Sequence, residues 1–144
     1  MQIHHIDHFT LCVAPQALHG LRDFYVGVLG LREGARPDFP FPGPWLSAGG
    51  HAVVHLAGNA SPGEAAGAPG ALHTGKLNHV ALRASGLRRM REHLAQLGIE
   101  WGEAPVPGAP LHQIFLRDPV GLKIELTFDA AEREEAGPAA ASGH

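Results

Sequence analysis

The sequence predicts an α+β fold built from two copies of one β-α-β-β-β unit. Three observations carry that expectation. Apolar spacing alternates along the chain between the period of two that marks strands and the 3.6 that marks helices. The same succession occurs twice. The two occurrences also superpose at a near-constant offset. Asp7-His8-Phe9-Thr10-Leu11 aligns with Asn78-His79-Val80-Ala81-Leu82 at an offset of 71, and Leu29-Gly30-Leu31 with Leu97-Gly98-Ile99 at 68. Trp45-Leu46 aligns with Phe115-Leu116, and Val54-His55-Leu56 with Ile124-Glu125-Leu126, both at 70.

The elements follow in order. Ile3 to Val13 alternates and carries β-branched and aromatic residues, so it reads as a strand. After Pro15, the apolar residues Leu18, Leu21, Phe24, Tyr25, Val28 and Leu29 have helical spacing, and Gly30 is the expected stop. Leu31 to Arg36 reads as a short strand. Pro37 to Pro44 holds four prolines in eight residues and is expected to be an irregular loop. Trp45 to Ala48 and Ala52 to Ala57 read as a hairpin turned by Gly49-Gly50. The Gly/Ala/Pro-rich stretch from Gly58 to Gly75 is expected to be a linker or mobile loop.

The second round has a strand from Lys76 to Ala84 and a helix from Leu87 to Leu97 ended by Gly98. A strand from Ile99 to Glu103 follows. Leu111 to Arg117 and Leu122 to Phe128 then form a hairpin around Asp118-Pro119-Val120-Gly121. The expected organisation is one domain over 1–128, with module one at 1–58, a linker at 59–75 and module two at 76–128. A charged, then Ala/Gly/Pro-rich tail at 129–144 is expected to fray.

Composition bounds the function. The 144 residues suffice for a buried core, and the 44% apolar content is ordinary for a globular chain. A net charge of −3 with no basic block argues against nucleic acid or an anionic membrane as partner. One cysteine, Cys12, permits no intrachain disulfide and fits a reducing compartment. The first residues, MQIHHIDHFTLCV, lack the basic and apolar regions of a leader, so the expected location is the cytoplasm. There are 11 histidines against 2 methionines, and histidine is the commonest metal ligand.

Strand alternation sorts these residues by face. Phe9, Leu11 and Val13 oppose His8, Thr10 and Cys12. Val80 and Leu82 oppose His79, Ala81 and Arg83. Val54 and Leu56 oppose Val53 and His55, while Ile124, Leu126 and Phe128 oppose Lys123, Glu125 and Thr127. Four potential ligands, His8, His55, His79 and Glu125, therefore occupy equivalent positions on the faces turned away from the apolar core. A lone histidine or glutamate on a strand is ordinarily a solvated polar residue; the repeat is what groups these four.

These residues resemble the vicinal oxygen chelate superfamily, which includes glyoxalase I, extradiol dioxygenases, fosfomycin-resistance proteins and methylmalonyl-CoA epimerase. The resemblance spans residues 3 to 128. It rests on His-Ile-Asp-His-Phe-Thr-Leu at 5–11, Phe24-Tyr25 with Val28-Leu29-Gly30-Leu31, Leu77-Asn78-His79-Val80-Ala81-Leu82, and Asp118-Pro119-Val120-Gly121 leading into Ile124-Glu125-Leu126. It implies two paired βαβββ modules forming a curved, cup-like mixed sheet with helices on the outer face. A divalent metal (Fe, Ni, Zn, Mn or Co) would be held on His8, His55, His79 and Glu125. Two histidines and a carboxylate with open positions suit Lewis-acid or oxygen chemistry.

His55 has four readings: ligand, outer-sphere residue, substrate contact, or a base that moves a proton. Arg83 is a candidate for a substrate carboxylate. Trp45, Phe115 and His112 are candidates to line the site, with ordinary packing as the alternative. The resemblance implies an enzyme acting on a small substrate through vicinal oxygens, either a lyase or isomerase or a ring-cleaving dioxygenase. Dioxygenases of this type carry a tyrosine about ten residues before the last-strand Glu, where this chain has Phe115. The basic residues that hold glutathione are not evident in Thr10-Leu11-Cys12. The alternative is a non-catalytic metal- or small-molecule-binding protein of the bleomycin-resistance kind. A homodimer is expected because relatives commonly pair.

Overall fold

Period-two alternation and helical spacing become eight strands and two α-helices in a computed structural model, which describes residues 1–60 and 76–133. The linker expected at 59–75 lies almost wholly outside the described residues, as does the tail beyond 133. The fold is α+β, with two four-stranded mixed sheets. The chain divides into two compact units, one of residues 1–72 with 118–121, the other of 73–117 with 122–144.

In the first unit β1 (Phe9–Cys12), β2 (Arg32–Gly34), β3 (Trp45–Ala48) and β4 (His51–Ala57) form a sheet of order β1-β4-β3-β2. β1 runs parallel to β4 with Thr10 opposite His55, and β3 runs antiparallel to β4 with Trp45 opposite His55. Gly49 and Gly50 turn the hairpin with φ of 57° and 80°. That left-handed pair matches the twist of the flanking strands and is costly for any residue with a Cβ.

Pairing covers only Phe9–Cys12 of the strand expected from Ile3, so His8 stands just outside the ladder. The helix expected over 16–29 is built in three pieces: a 3-10 turn at Pro15–Ala17, α1 at Leu18–Asp23, and a π-helical turn at Phe24–Val28. The widened turn, with Leu29 N donating to Phe24 O at 3.2 Å, lets two adjacent rings, Phe24 and Tyr25, both be buried. Tyr25 meets Phe9 edge-on at 6.4 Å, which places the helix over the Phe9 face of β1.

The Tyr25 hydroxyl donates to Asp118 Oδ2 at 2.8 Å. Asp118 Oδ1 accepts from Val120 N at 3.0 Å, so the turn at 118–121 begins on a buried carboxylate. Residues 35–44 form no helix or strand. They are nonetheless stitched to β4, with Leu56 N donating to Pro44 O and Gly58 N to Pro42 O. Gly43, at φ 139°, passes so close that a Cβ there would collide with the Leu56 carbonyl.

The second unit repeats the order, β5-β8-β7-β6, with β5 (Val80–Arg83), β6 (Gly102–Pro105), β7 (Leu111–Arg117) and β8 (Lys123–Asp129). The third-to-last strand begins three residues later than the expected Ile99. β5 runs parallel to β8 with Ala81 opposite Glu125, and Phe115 of β7 also lies opposite Glu125. α2 (Leu87–Gln96) buries Leu87 and Leu94 completely. Each such burial removes a side chain from water, worth about 1.5–3 kcal/mol. Its N-terminal cap, Gly86, has no side chain to offer. Glu132 substitutes, accepting from Gly86 N and Leu87 N. Residues 129–133 of the expected tail thus end β8 and form a capping 3-10 turn. No helix among the described residues is long and apolar enough to cross a membrane.

Candidate functional site

The backbone places one pair of candidate ligands in each unit in the same way. His8 lies two residues before Thr10, whose partner is His55. His79 lies two residues before Ala81, whose partner is Glu125. Alternation therefore puts His8 with His55, and His79 with Glu125, on the face opposite the apolar core. Among the described residues no group of three or more His, Cys, Asp or Glu side chains is arranged to hold an ion.

In the second unit the pair meets edge to edge. His79 Nε2 lies 3.0 Å from Glu125 Oε2. His79 Nδ1 donates to Asn78 Oδ1 at 2.8 Å, so the proton on that nitrogen is committed. Nε2 and a carboxylate oxygen would repel as two lone pairs, so a proton or a cation belongs between them. The spacing suits a cation: two ligands about 2.1 Å from a metal and at right angles stand about 3 Å apart.

Glu125 is only 6% exposed. Its other oxygen, Oε1, accepts from Gln113 Nε2 at 2.5 Å and Thr127 Oγ1 at 2.8 Å. Those two donors turn Oε2 toward His79, as outer-sphere partners of a metal ligand do. Arg83 is exposed on the His79 face, in register with Thr127. Phe115 lies opposite Glu125, with the Lys123 ammonium 5.0 Å from its ring.

In the first unit the pair meets face to face. The His8 and His55 rings stack at 3.8 Å and 15°, and Trp45 covers the other face of His55 at 3.7 Å and 7°. His8 Nδ1 donates to Asp7 Oδ2 at 2.6 Å, which leaves the lone pair on Nε2. His55 Nε2 donates to Ala52 O at 3.1 Å, which leaves the lone pair on Nδ1. Burial, then the neighbouring His8, pushes the His55 pKa below its ordinary value, so the ring is neutral at pH 7. His51, also close by, donates to Asp7 O at 2.8 Å.

His112 departs from the sequence expectation. It shares the buried parity of Ile114 and Leu116, so it lies on the face of β7 opposite Phe115 and Glu125. There it donates to Glu103 Oε2 at 2.7 Å, and Arg91 of α2 donates to the same oxygen at 2.7 and 3.0 Å. Four supporting residues had not been singled out: Asp7, Asn78, Gln113 and Thr127. The first two carry a signal, since an oxygen-bearing side chain precedes each candidate histidine, His8 and His79, at equivalent places in the repeat.

The glyoxalase/bleomycin resistance protein/dioxygenase superfamily model matches residues 4–126. The chain belongs to this superfamily. A glyoxalase family protein from Bacillus anthracis is 21% identical with a TM-score of 0.70, covering 90% of this chain and 98% of its own. An antibiotic-binding protein from a Streptomyces species is 23% identical with a TM-score of 0.63, over 90% and 98% of the two chains. The fosfomycin resistance protein of Listeria monocytogenes is 18% identical with a TM-score of 0.64, over 91% and 98%. At these identities the likeness is one of superfamily fold. A search of curated proteins finds no match.

Proposed function

We propose that this superfamily member is a metal-dependent enzyme. Its small substrate would chelate a divalent ion (Fe, Ni, Zn, Mn or Co) through two adjacent oxygens, with His8, His79 and Glu125 as ligands. The observation that carries the reading is the His79–Glu125 pair, spaced 3.0 Å apart and braced from behind by Asn78, Gln113 and Thr127. Asp7 does for His8 what Asn78 does for His79, taking the Nδ1 proton and leaving the lone pair on Nε2.

A bound ion supplies Lewis-acid stabilisation of the oxyanion that develops on the substrate. The chain's residues do the rest. Asp7 and Asn78 hold the ring tautomers, and Gln113 and Thr127 hold the carboxylate. His55, neutral with its lone pair on Nδ1, is the proton acceptor. Arg83, on the His79 face, is the candidate to hold a substrate anion. The protein works as a cytoplasmic homodimer in this reading, as the resemblance and the lone cysteine suggest. The second reading is sequestration without turnover. It is favoured by the row of aromatic rings, Phe41, Phe39 and Trp45, beside His55.

Calorimetric titration with Co(II), read together with its ligand-field spectrum, tests the proposal. One equivalent should bind, with imidazole and carboxylate donors. Glu125→Ala and His79→Ala should each weaken binding about 100-fold or more, beyond the 10–100-fold typical of outer-sphere partners. A wild-type chain that binds no divalent ion sinks the metal reading. A chain that binds the ion and turns over no vicinal dioxygen compound supports sequestration.

A further inference from the structure

The two candidate pairs are equivalent in the backbone and different in chemistry, and the difference bears on His55. A metal ion lies in the plane of each imidazole that binds it, about 2.1 Å from the nitrogen. The His8 and His55 rings are stacked, with planes 15° from parallel and centroids 3.8 Å apart. Planes so disposed do not meet near either ring, so an ion in the plane of His8 stands well out of the plane of His55. Rotating His55 to correct this would unstack it from Trp45 at 3.7 Å and break the bond from Nε2 to Ala52 O.

The stack is braced further out. Phe39 lies 6.2 Å beyond Trp45 and stacks on Phe41, and the Arg36 guanidinium lies 5.3 and 5.6 Å from those two rings. The proline-rich loop that carries these rings is pinned to β4 at Leu56 and Gly58. A line of packed rings therefore runs from the loop to His8.

We infer that His55 is the middle plate of a Trp45–His55–His8 stack that sets the ring plane of His8, and is not itself a ligand of the ion. This rests on the metal reading above. It makes His55 a positioning residue for ion binding, and it explains what Trp45 and the loop contribute: they hold the plate.

The test separates ring from nitrogen donor. Zn(II) and Co(II) affinities are measured by calorimetry on the full chain carrying His55→Phe or His55→Gln, with circular dichroism to confirm folding. His55→Phe keeps a flat ring and has no donor; affinity should stay within about threefold of wild type. His55→Gln keeps a donor and loses the plate; affinity should fall about 10-fold or more, the usual cost of losing an orienting partner. Loss in the Phe variant, or full retention in the Gln variant, overturns the inference.

A measurement on the unaltered protein stands beside the variants. The Co(II)-loaded chain should show two hyperfine-shifted imidazole N–H proton resonances, from His8 and His79. A third such resonance makes His55 a ligand and overturns the proposal. Failure of wild type to bind Co(II) at all is a different result, which removes the metal reading and this inference together.

Discussion

The two repeats share strand order, register and the placement of their candidate ligands, yet hold them in opposite ways. In the first, an imidazole at position 55 lies under an indole and over a second imidazole. In the second, a carboxylate at position 125 meets an imidazole along its edge. The cause lies in the side chains. Trp45 and Phe115 are both paired across from the candidate position, His55 and Glu125 respectively. An imidazole can stack on an aromatic face, whereas a carboxylate is repelled by its negative quadrupole. Glu125 therefore turns to the donors Gln113, Thr127 and His79, and Phe115 takes the Lys123 ammonium instead. A repeat that conserves backbone geometry can thus hold its two candidate pairs by different contacts, ring stacking in one half and charge and hydrogen bonds in the other.

That contrast can be broken at the brace behind Glu125. Gln113→Leu with Thr127→Val removes both donors to Oε1 while leaving His79 and Glu125 in place. Divalent-ion affinity should fall about 10- to 100-fold, read by calorimetry. An unchanged affinity would mean that Glu125 is oriented by its strand alone, and the two halves would differ less than argued.

The turns differ as well, and offer a smaller effect. The first hairpin closes on two glycines, the second on Asp118, whose buried carboxylate takes the Tyr25 hydroxyl. Burial, then the charge of Asp118, raises the Tyr25 pKa above its ordinary value, so the hydroxyl remains the donor across the usual pH range. Tyr25→Phe removes the hydroxyl that donates to the buried Asp118 carboxylate. Urea unfolding should show a loss of about 1–3 kcal/mol. A loss under about 0.5 kcal/mol, the scatter expected of inert surface changes, would show that water replaces the hydroxyl there.

The smallest effect lies on the helix side of the second unit. Burial raises the Glu103 carboxyl, but hydrogen bonds from Arg91 and His112 outweigh it and hold the pKa below its ordinary 4.5. A carboxylate depressed on folding stabilises the folded state above pH 4.5, and that contribution fades as pH falls through the lower folded value. Thermal melts of Glu103→Gln should therefore lie slightly below wild type at pH 7 and converge with it as the pH drops under 4. A constant gap at every pH would mean that the charge is immaterial.

Much of the fold was legible in the residues. The offset of about 70, the face sorting of His8, Thr10 and Cys12 against Phe9, Leu11 and Val13, and the stops at Gly30 and Gly98 all appear as read. Each depends on neighbours a few positions apart, which is the range over which periodicity and turn chemistry act. The shorter β1, the π turn at Phe24–Val28 and the capping of α2 by Glu132 were not legible. Each is decided by groups distant in the chain or by packing two large rings at once.

For the site, the sequence by itself determined which four positions are equivalent, because strand parity and the repeat need nothing more than order along the chain. Only the tertiary structure decided what those positions touch. Strand register put Trp45 against His55 and Gln113 beside Glu125, and turned His112 to the helix side with Glu103. The physical reason is that hydrogen bonds and ring stacking act over 3–4 Å between strands, and the pairing of strands brings together residues whose separation in sequence says nothing of their distance in space.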